Sequence, residues 1–308
     1  MGRRSRKPRD YRDVDGILLL DKPLGLSSNK ALQAARHVFR ANKAGHTGSL
    51  DPLATGLLPV CFGEATKFSA FLLEASKHYR AECRLGWVTS TGDAEGELIE
   101  SRPVEVTREQ VDAVLPRFIG RIRQIPPMHS AIKHKGERLY NLARKGIEVE
   151  REAREVDIHA LDVVAFEDDR LVIDIHCSKG TYIRTLAEDI GEALGCGASL
   201  AALERTGVQP FREQRRYTLD ELRAIREQQG DAALLDCLLP IESALAEWPE
   251  VELSSAMTFY LKQGQPVQVP GAPLEGLLRL KGEGEGFLGV GQILDDGRVA
   301  PKRLLKAR

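Results

Sequence analysis

One segment of this 308-residue chain combines the residue types that a catalytic loop needs. Residues 45–56 read Gly-His-Thr-Gly-Ser-Leu-Asp-Pro-Leu-Ala-Thr-Gly, with one carboxylate, one imidazole and three glycines. The segment follows neither the helical nor the strand repeat of apolar residues, which is typical of a loop with a functional role. Asp51 precedes Pro52, and a following proline disfavours the helical conformation. The segment therefore predicts a fixed carboxylate that can serve as a nucleophile or a general base.

The same carboxylate also has a purely structural interpretation. An Asp side chain commonly accepts a hydrogen bond from the backbone close behind it, in an Asx turn. Taken alone, the local chemistry of Asp51 slightly favours this interpretation. The choice between a turn and an active site at Asp51 therefore depends on evidence from other segments of the chain.

The familiar motifs for cofactors, metals and activated serines are absent from the sequence. There is no glycine-rich dinucleotide loop after a strand, no Walker loop and no HExxH. Gly48-Ser49 does not fit the GxSxG pattern of a nucleophile elbow. The seven histidines lack metal-site spacing, and the five cysteines are scattered without a CxxC pair. We therefore expect chemistry without a cofactor or metal, in a reducing cytoplasm.

Composition and charge are those of an ordinary globular protein. The chain is 42% hydrophobic and 29% charged. It has no apolar run of membrane-spanning length. Its basic N-terminus does not resemble a signal peptide. The net charge of −1 does not exclude an RNA partner, because the distribution of charge decides such binding. Basic residues cluster in residues 3–12, 117–123, 133–154 and 212–216.

Patterns of apolar residues predict the elements around the loop. Ser27 or Ser28 is expected to cap a helix that reaches about Ala41. Tyr79 begins an alternating run that is typical of a half-buried strand. Further strands are predicted at 16–20, 57–62, 156–166, 171–178 and 199–208, and further helices at 65–73, 107–118, 182–194 and 219–228.

Two regions depart from this regular pattern. Between residues 124 and 154 the sequence is basic and weakly periodic, which predicts an excursion from the core. After Trp248-Pro249 the chain contains short apolar runs divided by proline and glycine. These features predict a small β-rich domain from about residue 250.

Three motifs, in this order along the chain, resemble the TruB family, the tRNA pseudouridine-55 synthases of bacteria. They are GILLLDKP at 16–23, GHTGSLDPLATG at 45–56 and CSKGTYIRT at 177–185. The resemblance covers the chain from about Gly16 and departs from the family at Ser49, where alanine is common.

The resemblance implies an α+β pseudouridine-synthase fold, with a mixed, mainly antiparallel central sheet flanked by helices and a small β-rich PUA-like domain. The implied organisation is a flexible basic tail over residues 1–15, a catalytic domain over 16–248 and a PUA-like RNA-binding domain over 250–308. An RNA-clasping insertion is implied at about 126–155.

The resemblance also implies the reaction and its residues. Uridine 55 in the T loop of tRNA flips out, its N-glycosidic bond breaks, and C5 bonds to C1′ without any cofactor. Asp51 would be the catalytic carboxylate, Arg184 its ion-pair partner and Tyr79 the aromatic platform for the uracil. The residues implied to bind the substrate are His46, Lys22, Tyr182 and Leu203. The implied partner is the T arm of tRNA, and the protein is expected to be a monomer with no membrane contact and no obligate protein partner.

Two other functions compete with this interpretation. A glycosidase normally needs a second carboxylate opposite the first, and no second motif-embedded carboxylate stands out. A non-catalytic RNA-binding or RNA-folding protein on the same scaffold has little use for Asp51, Tyr79 and Arg184 together. The sequence leaves open whether Asp51 attacks the sugar, attacks the base or removes a sugar proton.

Overall fold

A computed structural model describes residues 10–130, 132–134 and 136–306. Most of the predicted basic tail therefore lies outside the described residues. The part that is described packs on the body of the protein: the backbone of Arg12 bonds to Arg40 and Asn42, and Val14 is buried.

The described residues form sixteen strands and seven α-helices. The strands are β1 (Gly16–Lys22), β2 (Ala44–His46), β3 (Ala54–Phe62), β4 (Lys77–Leu85), β5 (Trp87–Thr89), β6 (Leu98–Ser101), β7 (Gly120–Gln124), β8 (Lys133–His134), β9 (Glu137–Arg138), β10 (Arg154–Glu167), β11 (Arg170–Cys177), β12 (Ala198–Val208), β13 (Glu250–Leu253), β14 (Leu277–Gly282), β15 (Gly286–Ile293) and β16 (Val299–Leu304). The helices are α1 (Ser28–Phe39), α2 (Ser69–Glu74), α3 (Arg108–Val114), α4 (Leu139–Arg144), α5 (Ile183–Ala193), α6 (Leu219–Leu235) and α7 (Ser255–Lys262).

One large mixed sheet organises the chain from β1 to β12. Its strand order is β1-β3-β12-β4-β11-β10-β7, and β2 pairs with β3 beside this path. Only the β3–β12 pairing is parallel among these described strands, which confirms the predicted mixed, mainly antiparallel sheet. Because β12 lies between β3 and β4, it brings the loop before β3 close to the residues of β4.

Apolar faces explain why the elements form and how they pack. Along β4, alternate side chains are buried, among them Tyr79 and Ala81, while Arg80 points to solvent. Helix α5 buries Leu186 and Ile190 against this side of the sheet. Each such buried aliphatic side chain stabilises the fold by about 1.5–3 kcal/mol. Helices α1 and α6 contribute to a second apolar cluster with β1 and β3.

The C-terminal segment forms a separate small β-rich domain, as predicted. Strands β13, β14, β15 and β16 form its sheet, in that order. Helix α7, which the sequence patterns did not predict, begins after Ser254, whose side chain accepts a hydrogen bond from the backbone N–H of Met257. The domain contacts the larger, N-terminal part of the chain through the Phe287 ring, whose centroid lies 5.7 Å from that of Phe68.

Two sequence predictions were wrong in extent. Residues 45–56 are not all loop, because Gly45 and His46 pair with β3 and the last three residues of the segment begin β3. The loop that carries Asp51 is therefore only residues 47–53. The helix predicted over 219–228 continues to Leu235, with a non-helical Gly230 inside it. None of the described helices is long and apolar enough to cross a membrane.

Candidate active site

A cavity of about 460 Å³ opens beside the Asp51 loop. It lies between this loop, the end of α2, strands β4 and β12, the start of α5 and residues 129–130. Five of the seven predicted site residues line it, namely Asp51, Tyr79, Tyr182, Arg184 and Leu203. Segments far apart in the sequence thus meet at one place.

Asp51 and Arg184 form an ion pair at this cavity. Nη2 of Arg184 lies 3.0 Å from Oδ2 of Asp51. The arginine also donates to the backbone carbonyls of Thr91, at 3.1 Å, and of His129, at 2.7 Å. Arg184 is the second residue of α5, so the rigid start of a packed helix positions it. The carboxylate therefore faces a cation whose own position is fixed from several sides.

A second carboxylate, which sequence reasoning missed, also contacts this arginine. Oδ2 of Asp93 lies 3.4 Å from Nη1 of Arg184, and Asp93 is buried. The Thr91 hydroxyl and the Glu95 N–H both donate to the other oxygen of Asp93. The buried guanidinium is thus balanced by a buried carboxylate, while Asp51 remains open to solvent. The only local signal was a polar turn at 90–93.

Aromatic and aliphatic side chains form the apolar walls of the cavity. Tyr79 lies on β4, and Leu203 lies on the adjacent β12, where it pairs with Ala81. Tyr182 precedes α5, and its backbone exchanges two hydrogen bonds with the buried Gln124 side chain, at 3.0 and 3.2 Å. Burial raises the pKa of both tyrosine hydroxyls. Flat apolar walls beside a carboxylate suit a planar heterocycle attached to a sugar.

Lys22 and His46 do not line the cavity. The Lys22 side chain is fully buried, and its Nζ donates to the carbonyls of Pro23 and Leu26, at 2.8 and 2.5 Å. Burial lowers the pKa of Lys22 to about 8, although the charge of Asp51 opposes this. The lysine therefore braces the turn after β1 rather than offering its ammonium to a substrate.

His46 is half-buried in β2, opposite Val60 of β3. Burial and the nearby Arg205 charge lower the pKa of its imidazole, which favours the neutral ring. Strand pairing with β3 thus holds this residue beside the loop rather than in the cavity wall.

Two basic residues that the sequence reasoning did not select also line the cavity. Arg205, on β12, is 1% exposed. Lys77, at the start of β4, donates from Nζ to the carbonyls of Leu73 and Ala75, and burial lowers its pKa to about 8. The alternation along β4 places Lys77 on the same face as Tyr79, and this is the signal that could have identified it.

The cavity combines an accessible carboxylate, a fixed counter-charge and apolar walls formed by Tyr79, Tyr182 and Leu203. A carboxylate in this setting can attack an electrophilic carbon or stabilise positive charge on a sugar. No group of three or more His, Cys, Asp or Glu residues that could hold a metal ion occurs in the described part of the chain.

Comparison with protein families gives three consecutive matches along the chain. Residues 36–183 match the TruB family pseudouridylate synthase N-terminal domain. Residues 184–246 match the tRNA pseudouridylate synthase B C-terminal domain, and residues 249–305 match the C-terminal domain of pseudouridine synthase II TruB.

Curated relatives match over nearly the whole chain. A tRNA pseudouridine synthase B of Nitrosococcus oceani is 56% identical over 294 residues, covering 95% of both chains. The protein of the same name from Ectopseudomonas mendocina is 54% identical and covers 96% of both.

Solved structures share the fold at lower identity. The chain resembles one from a Cbf5-Nop10-Gar1 complex with a TM-score of 0.75 and 24% identity, covering 99% of this chain and 91% of that one. It resembles one from an H/ACA RNP bound to a substrate RNA containing 2′-deoxyuridine with a TM-score of 0.74 and 22% identity, covering 98% and 94%.

Proposed function

The chain belongs to the TruB family of pseudouridine synthases, and from this premise we propose that it isomerises uridine 55 in the T loop of tRNA to pseudouridine. The name of its relatives, tRNA pseudouridine synthase B, supports tRNA as the substrate. The observation that carries the proposed chemistry is the Asp51–Arg184 ion pair beside a cavity that Tyr79 lines.

The proposed reaction begins when the target nucleotide leaves the T-loop stack and enters the cavity. Flipping a base costs a few kcal/mol, which contacts within the protein offset. Tyr79 and Leu203 supply apolar contact for the uracil ring, and Tyr182 supplies another wall. Pocket contacts of this kind favour the flipped conformation that the chemistry requires.

Asp51 then acts on the flipped nucleoside. Attack on C1′, attack on the base and removal of a sugar proton each require its charged form, which the Arg184 guanidinium favours. The N-glycosidic bond breaks, the uracil turns, and C5 bonds to C1′. C5 loses one proton and N1 gains one, so the product is an isomer and no redox partner is consumed.

The rest of the chain is proposed to hold the RNA. His129 and Ser130, at the base of the 126–155 insertion, line the cavity, so an insertion that clasps the T arm would also close the site. The domain over 250–308 is proposed as PUA-like and RNA-binding, next to the catalytic domain over 16–248. We propose that the protein works in the cytoplasm as a monomer without an obligate protein partner.

Incubation with an unmodified tRNA transcript, followed by mapping of pseudouridine, tests this function. The expected product is pseudouridine at position 55 alone, and a transcript with cytidine at that position is the matched control. Product at another position would contradict the assigned target. Binding without any product would favour the alternative of a non-catalytic RNA-folding protein.

A further inference from the structure

Arg205 is a buried cation to which the proposed reaction has so far assigned no role. It lies on β12, its side chain is almost entirely removed from solvent, and it lines the cavity. It forms no ion pair with a carboxylate in the described part of the chain. An unpaired buried charge is costly, so well-placed hydrogen bonds must compensate for its lost hydration.

The hydrogen bonds of Arg205 connect three elements of the site. Its Nε donates to the carbonyl of Leu57 on β3 at 2.7 Å, and its Nη2 donates to the carbonyl of Gly48 at 3.2 Å. The guanidinium also lies beside the hydroxyl of Tyr79 on β4, close enough for a third hydrogen bond that opposes the rise in the pKa of the phenol. The register of the sheet pairs Arg205 with Tyr79 on one side and with Gly56 on the other. Two backbone carbonyls therefore fix the cation beside the phenol.

The direction of the third hydrogen bond follows from the chemistry of the two groups. A guanidinium has five N–H donors and no acceptor, so the Tyr79 oxygen must accept. The hydrogen of the Tyr79 hydroxyl is then free to point elsewhere, and Tyr79 itself lines the cavity. Burial raises the pKa of Tyr79, and the charge of Arg205 opposes that increase. A phenolate formed during proton transfer would face this cation.

We propose that Arg205 is a positioning residue for the isomerisation, acting through the Tyr79 hydroxyl. It holds the phenol oxygen as an acceptor and leaves the O–H group directed at the base in the cavity. A phenol in this position can release its proton to N1, and the phenolate so formed can take up the proton that C5 loses, so the tyrosine ends each turnover unchanged. This inference rests on the proposed function and adds a residue to it.

A double-mutant cycle tests whether Arg205 acts through that hydroxyl. Single-turnover isomerisation at saturating tRNA is measured for Arg205→Met in the wild-type and Tyr79→Phe backgrounds. In the wild-type background we expect a rate loss of at least about 50-fold, with tRNA affinity changed less than about threefold. In the Tyr79→Phe background the loss should shrink to less than about fivefold, because the partner atom is already absent. Equal losses in the two backgrounds overturn the inference.

Two further variants keep the test independent of folding. Arg205→Lys retains the charge and a donor, so its rate should be at least about tenfold higher than that of Arg205→Met. Equal rates for the two variants count against the proposal. If Arg205→Met does not fold, the cycle is run with Arg205→Lys, and the criterion is then whether its rate loss is smaller in the Tyr79→Phe background than in the wild-type background. Arg216→Met is the matched control, since Arg216 also binds β12, at Glu204 and Thr206, outside the cavity, and its rate should stay near wild type.

The outcome for the wild-type protein separates the two proposals. Absence of pseudouridine with wild-type protein contradicts the proposed function itself. Wild-type activity combined with equal losses in the cycle contradicts only the role of Arg205.

Discussion

Nη2 of Arg184 lies 3.0 Å from Oδ2 of Asp51, and the two side chains differ sharply in exposure, at 7% for the arginine and 52% for the aspartate. The backbone carbonyls of Thr91 and His129 and the buried Asp93 carboxylate hold the arginine in place. The guanidinium is thus the fixed half of the pair, and the carboxylate is the half that can meet a substrate. This asymmetry is what a catalytic carboxylate requires, and a salt bridge that only stabilised the fold would not need it.

Asp51→Asn removes the charge of the exposed partner and keeps an oxygen that Arg184 can bind. We expect isomerisation to fall by a factor of about 10²–10⁴, because the chemical step loses its charged group. The affinity for tRNA should stay close to wild type, since binding depends mainly on phosphate contacts. Single-turnover assays and filter binding measure the two quantities. An active Asp51→Asn protein would contradict the catalytic assignment.

Arg184→Ala should reduce both the rate and the stability, for different reasons. The rate falls because Asp51 loses its counter-charge. The free energy of unfolding falls by about 3–5 kcal/mol, because Asp93 is left buried and unpaired. Adding Asp93→Asn should restore part of the stability without restoring the rate. Urea titration and single-turnover assays separate the two effects, and unchanged turnover in Arg184→Ala would exclude a supporting role for the arginine.

A cluster of imidazoles on the solvent face of the sheet predicts a loss of stability in acid. The rings of His78 and His176 stack at 4.0 Å, with His159 at 4.6 Å from His176, and Arg212 also faces them. Burial and these neighbouring charges lower the pKa of His78 to about 4. Between pH 6.5 and 4 the unfolded chain therefore binds protons that the folded chain excludes, so stability falls as the pH falls.

His78→Gln should flatten this dependence between pH 6.5 and 4, as measured by chemical denaturation at several pH values. His37→Gln, on α1 and away from the cluster, is the control and should leave the dependence unchanged. The same slope in His78→Gln and wild type would show that the cluster does not govern acid stability.

The C-terminal domain offers a charge test of RNA binding. Arg279 is held by the Glu250 carboxylate and by the carbonyl of Trp248. Lys302 and Arg303 lie exposed on β16. Replacing both with Gln should lower the slope of log affinity against log salt by about 0.7–0.9 for each phosphate that the protein no longer neutralises. Arg279→Gln is the control, and equal slopes for all three proteins would argue against RNA binding by this face.

Local signals in the sequence predicted much of the fold. The Thr107 side chain and Gln110 form the capping box that their spacing indicated, and the alternating runs at 156–166 and 171–178 form the β10–β11 hairpin. The parallel pairing of β3 with β12 had no local signal, because it joins strands separated by most of the domain. Residues 54–56 at the start of β3 pair with β12, and β2 pairs with the far end of β3, so the loop between β2 and β3 was predicted too long.

The site was predictable from one loop and from the family resemblance. The glycine-rich loop indicated Asp51, the resemblance added Tyr79 and Arg184, and the three residues lie together in the structure. Sequence reasoning did not identify Asp93 and Arg205, because their roles depend on long-range packing. In particular, β12 contains a register shift between Arg205 and Gly207, and another between Leu200 and Ala202. Such shifts change which face a side chain occupies, so alternation alone could not assign Arg205 to the cavity.

The glycines of the 45–56 segment should differ in their tolerance of alanine. Gly56 has φ +93°, and a Cβ atom there would lie 2.5 Å from the carbonyl oxygen of Arg205. Backbone strain and overpacking together predict that Gly56→Ala lowers the free energy of unfolding by about 2–5 kcal/mol. Gly45→Ala is the matched control, since its Cβ would meet nothing closer than the Thr66 methyl at 4.0 Å, and it should change stability by less than about 0.5 kcal/mol. Urea unfolding of both variants decides the matter: equal destabilisation would mean that the close approach of β3 to β12 is not what requires glycine at position 56.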